Sequence, residues 1–255
     1  MVLLICPVFN EENKILAFFK SVINYVYDKV NLLVLEDFSQ DSTRQICLHL
    51  YNNLSSYFRK RIFFIFNERN MGYGDNLLNG FRYALEKGYD KIITIDCDFQ
   101  HLPSYIPVFI SLSRKYHFVT GTRYSMNSLS VSKVNFFRYM INLKMIELLK
   151  FFYGVKVSDF FCGFRVYSYK LLEYIYLSVM SYKKQANVIF SYDFPVYLWV
   201  DILNFTLNIF ELPIPFIFFE ERNFKGKHAS LFWDHYQRVQ IYVEKFMEYY
   251  NLKKK

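Results

Sequence analysis

Glycine is scarce: 8 residues in 255, where average usage of roughly 7% would give about 18. That excludes collagen-like sequence and makes each glycine cluster informative. Cysteine is also sparse, at Cys6, Cys47, Cys97 and Cys162. No two of them form a C-x-x-C pair, so they read as buried thiols in a reducing compartment. The five histidines show no H-x-x-x-H spacing, and G-x-S-x-G, P-loop and G-x-G-x-x-G motifs are all missing. No stretch offers the roughly 20 consecutive apolar residues that a spanning helix needs. The most apolar one, residues 188–219, is broken by Asp193, Asp201 and Glu211 and by Pro195, Pro213 and Pro215. The start, MVLLICPVF, lacks the basic n-region and the length of a signal peptide. The expectation is a soluble or peripheral protein.

What is present is a globular composition. Hydrophobic residues make up 53% and charged residues 21%, which excludes a disordered chain and permits a sizeable core. The 29 Phe and 23 Tyr carry no functional weight, because an AT-rich genome would by itself be enough to enrich them. Lys plus Arg is 31 and Asp plus Glu is 23, a net charge of +8. That balance suits nucleic acid, anionic lipid headgroups or a phosphorylated substrate, and separates none of them.

The apolar pattern alternates strands and helices. Strands are expected at 2–6, 30–35, 61–66 and 91–95. Helices are expected over 11–26, 42–58 and 75–87, the second with Asp41-Ser42-Thr43 as N-cap chemistry and the third ended by Gly88. Near-continuous apolar strands in β–α repeats imply a mostly parallel sheet covered on both faces. Further on, 118–122 reads as a strand, 132–152 as a helix, 155–168 as a turn and strand, 209–219 as a strand and 230–250 as a helix. No linker separates two domains. We expect one α/β domain over 1–229 and a C-terminal helix with a basic tail over 230–255.

In such sheets the ligand crevice lies beyond the carboxyl ends of the strands. The residues there are Pro7 to Glu11, Glu36-Asp37, Asn67 to Gly74 and Asp96 to His101. The sharpest signal is Asp96-Cys97-Asp98-Phe99-Gln100-His101. Two carboxylates at i and i+2 past a strand can converge on one hard cation. Mg²⁺ and Mn²⁺ take carboxylate oxygens together with substrate phosphate oxygens. A period of two would put both side chains on one side, and Gln100 adds an oxygen. A D-x-D triplet alone is common in solvated turns. Its position after the fourth strand of a β–α array favours the metal reading.

At these residues the chain resembles the family 2 glycosyltransferases of the GT-A fold, most closely the polyprenyl-phosphate (dolichyl-phosphate) mannose or glucose synthases. Seven motifs occur in order between about Leu4 and Gly226. They are Pro7-Val8-Phe9-Asn10-Glu11-Glu12, Glu36 to Thr43, Asn70-Met71-Gly72-Tyr73-Gly74, Asp96 to His101, and Gly121-Thr122-Arg123-Tyr124. Ser158-Asp159 to Arg165, and Glu211-Leu212-Pro213-Ile214 with Arg222, complete the set. The fold implied is a Rossmann-like, mostly parallel sheet flanked by helices, a single domain with a helical C-terminal extension.

The resemblance implies that Pro7, Phe9, Glu11 and Asp37 hold the base and ribose of a nucleoside-diphosphate sugar of the GDP-mannose or UDP-glucose type. Asp96, Asp98 and Gln100 would hold Mg²⁺ or Mn²⁺ and the diphosphate. Arg123, Arg138 and Arg222 would grip phosphates of donor and acceptor, a task suited to guanidinium geometry. Asp98, Arg123 and Arg138 are the residues expected in the chemistry. The family pattern is departed from at Phe9 (usually tyrosine), Glu36 (usually aspartate), Asn142 (usually serine) and Gly226-Lys227-His228-Ala229. His101 is expected near the metal without ligating it.

The reaction implied is hexosyl transfer with inversion. A hydroxyl acceptor needs a general base, and no E-D pair follows the D-x-D; Ser158-Asp159 is the nearest acid in that stretch. A phosphate monoester is already anionic at pH 7, which favours a polyprenyl phosphate. The helix over 132–152, with Phe136, Phe137, Met140, Ile141, Met145, Leu148 and Leu149 beside Lys133, Arg138, Lys144 and Lys150, suits either a membrane interface or an ordinary core. We therefore expect a cytoplasmic enzyme, peripheral on the membrane face, with no nucleic-acid partner. The alternatives are transfer to a hydroxyl in glycan or glycolipid synthesis, or a non-catalytic nucleotide-sugar-binding protein.

Overall fold

The computed structural model describes residues 1–124, 136–215 and 228–254, with side chains from residue 139 in the helix that begins at 136 and from 239 in the last helix. Seven strands, β1 (Val2–Val8), β2 (Val30–Glu36), β3 (Ile62–Phe66), β4 (Lys91–Thr94), β5 (Phe118–Thr122), β6 (Arg165–Ser168) and β7 (Ile209–Pro213), form one sheet in the order β3-β2-β1-β4-β6-β5-β7. Among the described residues only β6 runs against its neighbours; the β1–β2, β1–β4, β2–β3 and β5–β7 pairs are parallel.

The pleat sorts the apolar strands onto two faces. Leu3, Ile5, Leu33 and Leu35 face one core, while Val2, Leu4, Cys6, Leu32 and Val34 face the other. The second core is covered by α1 (Ile15–Val22), α2 (Thr43–Asn52) and α5 (Ile106–Leu112). The first is covered by α4 (Tyr73–Glu86), α6 (Phe136–Tyr153), α7 (Tyr169–Ala186), α8 (Phe194–Phe205) and α9 (His228–Lys254).

The helix expected over 42–58 is two elements: α2, and a single turn α3 (Ser56–Arg59) whose Ser55 hydroxyl accepts from the Phe58 amide. The one expected over 11–26 shortens to α1 followed by a 3₁₀ turn over Ile23–Tyr25. Three helices, α5, α7 and α8, carry no expectation from the sequence. In α8 the cause is physical: all ten residues from Phe194 to Leu203 are buried, so no polar face marks a helical period. In α6, Ile141, Met145 and Leu149 go to the core, whereas Met140 is 45% exposed. Phe151, at 81%, is exposed as well, so the described part of this helix has both a core face and exposed apolar side chains; Lys133 and the side chains of Phe136, Phe137 and Arg138 lie outside the described residues. Among the described residues no helix is long and apolar enough to cross a membrane.

The C-terminal helix packs into the main core through Phe246 and Tyr249, both fully buried. The Tyr249 hydroxyl donates to Asp201 Oδ2 at 2.8 Å, Ser178 donates to Asp201 Oδ1 at 2.7 Å, and Tyr182 donates to Glu248 at 2.9 Å. Lys245 pairs with Asp193. Burial raises the Asp201 carboxyl to about 6. Tyr249→Phe strips one of its two hydroxyl donors and should lower stability by about 1–3 kcal/mol, read as a shift in urea midpoint at unchanged slope.

Candidate active site

The carboxyl ends of the parallel strands define one edge of the sheet. Because β6 runs the other way, its N-terminal approach, residues 158–164, comes to that same edge. A cavity of about 970 Å³ opens there. Pro7, Phe9, Glu11, Asp37, Asp96, Asp98, Gln100 and Arg123 all line it. Eight residues from four separate segments, chosen on sequence, thus share one cavity. Arg222 and the side chain of Arg138 lie outside the described residues.

The first two loops are laced together. The amides of Asn10, Glu11 and Glu12 donate to Ser39 Oγ, Thr43 Oγ1 and Asp41 Oδ2, while the amides of Gln40 and Ser42 donate back to Asn10 Oδ1 and Glu12 Oε2. The S-x-D-x-T part of the second motif is therefore a brace for the first loop. Asn10 takes a left-handed backbone, φ 54°, which asparagine tolerates. Glu36 is fully buried away from the cavity, accepting from the Ser39 amide at 2.7 Å and from Arg44 at 2.9 Å. Its longer side chain serves the loop, which accounts for the departure at this position.

Asp37 lines the cavity while bracing the glycine loop. It accepts from the amides of Met71 (2.8 Å) and Gly72 (3.0 Å) and from Asn67 Nδ2 (2.8 Å). Gly72 has φ 82°, a conformation that needs glycine. Gly74, in the first turn of α4, lies against the Phe190–Phe194 segment, where a Cβ would lie 2.6 Å from that of Phe190.

Asp96 and Asp98 follow β4, which ends at Thr94. They stand in a turn, with Phe99 at φ 62°, so bending of the chain and not the pleat aims both at the cavity. Asp98 Oδ1 accepts from the Gln100 amide at 2.9 Å. Burial, then the charge of Asp98, raises the Asp96 carboxyl to about 7, against the pull of Arg123 and Arg165. Asp98 is also raised, by burial. The effect of the Asp98 charge on Asp96 is what a second carboxylate close by should produce. His101 is buried with Nδ1 3.5 Å from Asp96 Oδ2 and Nε2 3.7 Å from Cys162 Sγ. Burial lowers its pKa to about 3, which keeps it neutral.

The cavity floor beneath Asp96 is the backbone of Gly163, where a Cβ would stand 2.3 Å from Asp96 Oδ2. Among the described residues no three His, Cys, Asp or Glu side chains form a metal group. Two carboxylates with an amide oxygen nevertheless fit a hard cation whose remaining ligands are phosphate and water. The glycine cradle leaves room at the Asp96 carboxylate for that arrangement.

Arg123 lines the far side. Its Nε and Nη2 donate to Asp159 Oδ2 (2.5 Å) and Oδ1 (2.7 Å), and its amide donates to Oδ2 (3.1 Å). Asp159 is fully buried. The pairing raises the guanidinium pKa against burial. Asn142 donates to Ser158 O and accepts from the Phe160 amide, each at 2.8 Å. The amide at this position grips both sides of a peptide turn, a task beyond a serine hydroxyl.

Sequence reasoning assigned no role to Glu211, Asn142 or Arg165, although all three were noted in motifs or as departures. Arg165 is buried, lines the cavity, donates to Phe160 O at 2.7 Å and lies 5.7 Å from the Trp199 ring. Tyr242 from α9 and Tyr192, both lining the cavity, carried no signal: the elements that bring them were unread or treated as an appendage.

The sheet order, the lone antiparallel strand and the acidic turn at the carboxyl edge are those of a GT-A glycosyltransferase. Residues 3–176 match the model of "Glycosyl transferase family 2", and the chain belongs to that family. It is similar to the polyprenol monophosphomannose synthase of Mycolicibacterium smegmatis, 25% identical over 215 residues, 84% of this chain and 76% of that one. It is also similar to the UDP-N-acetylglucosamine–dolichyl-phosphate N-acetylglucosaminyltransferase of Methanococcus voltae, 26% identical over 240 residues and 91% of each chain. Among solved structures, the glucosyl-3-phosphoglycerate synthase of Mycobacterium tuberculosis, in complex with Mn²⁺, UDP and phosphoglyceric acid, aligns with a TM-score of 0.63. That match has 16% identity and covers 96% of this chain and 78% of the other.

Proposed function

We propose that this glycosyltransferase moves a hexose from a nucleoside-diphosphate sugar to a polyprenyl phosphate, with inversion, while associated peripherally with a membrane surface. Pro7, Phe9, Glu11 and Asp37 hold the base and ribose. Asp96, Asp98 and Gln100 hold Mg²⁺ or Mn²⁺, which supplies charge neutralisation for the departing diphosphate. Arg123 binds phosphate and stabilises negative charge there as it grows in the transition state. Arg138 and Arg222 share that task on the motif resemblance.

The observation that carries the reading is the fate of the acids. Among the described residues, each carboxylate lining the cavity has a use in this reading: Glu11 pairs with Lys14 at 3.2 Å, Asp37 braces the glycine loop, and Asp96 and Asp98 are the residues that would hold the cation. Asp159, the acid nearest the acceptor stretch, is clamped in the fork of Arg123. His101, with a pKa near 3, is a weak base. A hydroxyl acceptor would need a base that the described residues do not offer. A phosphate monoester, its second pKa near 6, needs none. The names of the two curated relatives point the same way, with a polyprenol and a dolichyl phosphate.

The test is transfer from UDP-glucose, UDP-N-acetylglucosamine and GDP-mannose with Mn²⁺, to farnesyl phosphate and, separately, to free sugars and glycolipid hydroxyls. Product with farnesyl phosphate alone supports the reading. Product only on hydroxyls overturns it in favour of glycan synthesis.

A pH signature follows from Asp96. Its carboxyl is protonated below about 7 in the metal-free protein, and a metal takes only the ionised form. Affinity for Mn²⁺ should therefore fall roughly tenfold per pH unit below 7, with about one proton released on binding near pH 6. Calorimetry in two buffers of different ionisation enthalpy counts that proton; a pH-independent affinity would contradict the assignment.

A further inference from the structure

We propose that Glu211, which does not touch the cavity, is a positioning residue for transfer: through the 158–160 turn it sets the bearing of the Arg123 guanidinium. The proposal rests on the phosphate role given to Arg123 above.

Glu211 stands on β7 in register with Thr120 of β5, so Thr122 and Arg123 emerge from the neighbouring strand just beyond it. Its carboxylate accepts from the Ser158 amide at 2.8 and 2.9 Å, from the Ser158 hydroxyl at 3.0 Å and from the Asp159 amide at 3.1 Å. Since the Ser158 hydroxyl donates to Glu211, the 2.6 Å contact between Thr122 Oγ1 and Ser158 Oγ has threonine as donor. Thr122 Oγ1 then accepts from the Tyr124 amide at 3.3 Å. One chain of bonds thus runs from Glu211 through Ser158 and Thr122 to the backbone on the far side of Arg123. A second runs from Glu211 through the Asp159 amide to the carboxylate that holds the Arg123 side chain.

The arrangement is costly as plain architecture. It sets two carboxylates, the half-buried Glu211 and the fully buried Asp159, close together, where partial burial raises the Glu211 pKa and the charge of Asp159 adds to it. Only an acceptor with two oxygens satisfies the three donors. A glutamine there would turn its NH₂ onto an N–H or O–H already pointing inward. The turn is also held by Asn142 from α6, so loss of the carboxylate should let the turn shift and not unfold. Misplacement of a binding group by about 1 Å can cost on the order of a hundredfold in rate.

The experiment compares Glu211→Gln, Arg123→Ala and the double variant with the wild-type protein. It uses Mn²⁺, farnesyl phosphate and the same three nucleotide sugars, with melting temperatures measured alongside. The expected result is a kcat lowered 10–100-fold in Glu211→Gln with the donor KM within threefold. The double variant should be no slower than Arg123→Ala alone, because Glu211 acts through that arginine. Multiplying effects in the double variant would overturn the inference while leaving Arg123 its role. Full activity in Arg123→Ala would overturn both that role and the inference. Should Glu211→Gln melt near room temperature, Thr122→Val loosens the same turn from β5. It should show the same non-additivity with Arg123→Ala at a smaller, 3–10-fold cost; independent effects there would again overturn it.

Discussion

Asp98→Ala abolishes Mn²⁺-dependent binding of UDP and GDP: in titration calorimetry the affinity drops by on the order of a hundredfold or more, while binding without metal is unchanged. The size follows from the composition of the proposed cation site. The chain offers two carboxylates and an amide oxygen from one short turn, Asp96, Asp98 and Gln100, so removing Asp98 takes half of the negative charge. It also frees the Gln100 amide, which Asp98 Oδ1 now accepts at 2.9 Å, and the turn loses the bond that aims the glutamine. Altering a mere supporting partner of a ligand costs 10–100-fold in metal affinity, and a ligand itself should exceed that. A second readout checks the cause. Asp98 is one of the charges that push the Asp96 carboxyl up to about 7, so the variant should titrate Asp96 lower, though burial, the larger cause, keeps it above an ordinary aspartate. Unchanged affinity with Mn²⁺ would remove the metal assignment and the diphosphate site with it.

The sheet and the site edge were legible because parallel strands buried on both faces are nearly pure apolar runs. β1, β2 and β3 stand within two residues of their expected ends, and the loop residues that follow them fall where a carboxyl-edge crevice needs them. The route by which the D-x-D aspartates reach the cavity differs from the one expected: the strand stops one residue early, and a bent turn with Phe99 at φ 62°, not the strand pleat, turns both towards it. What stayed hidden was whatever depends on through-space meetings. Glu211 and Ser158 are separated by 53 residues and Arg123 and Asp159 by 36, and no periodicity encodes such a pairing. α8 was hidden by its own burial. Asn142 could be seen as a departure, but its purpose became visible only with the 158–160 turn beside it.

Gly163→Ala should leave the fold intact and weaken Mn²⁺ binding more than tenfold. The added Cβ would lie 2.3 Å from Asp96 Oδ2 and 3.0 Å from its Cγ, closer than real contacts allow. Something has to move, and the backbone of residue 163 is the stiffer party: its carbonyl accepts from Thr94 Oγ1 at 2.6 Å, and the next two residues enter the sheet at Arg165. The Asp96 carboxylate is the end of a rotatable side chain, so it yields. In yielding it leaves its place beside His101, 3.5 Å away, and with it the position proposed for the cation. The backbone of Gly163 is not in the left-handed region, so alanine adds no strain of its own, and a loss of more than about 1 kcal/mol in stability is not expected. The two readouts therefore part: a melting temperature within a few degrees of wild type beside a collapsed metal affinity. Wild-type affinity for Mn²⁺ in this variant would mean that Asp96 does not need its observed place, and that the glycine serves packing alone.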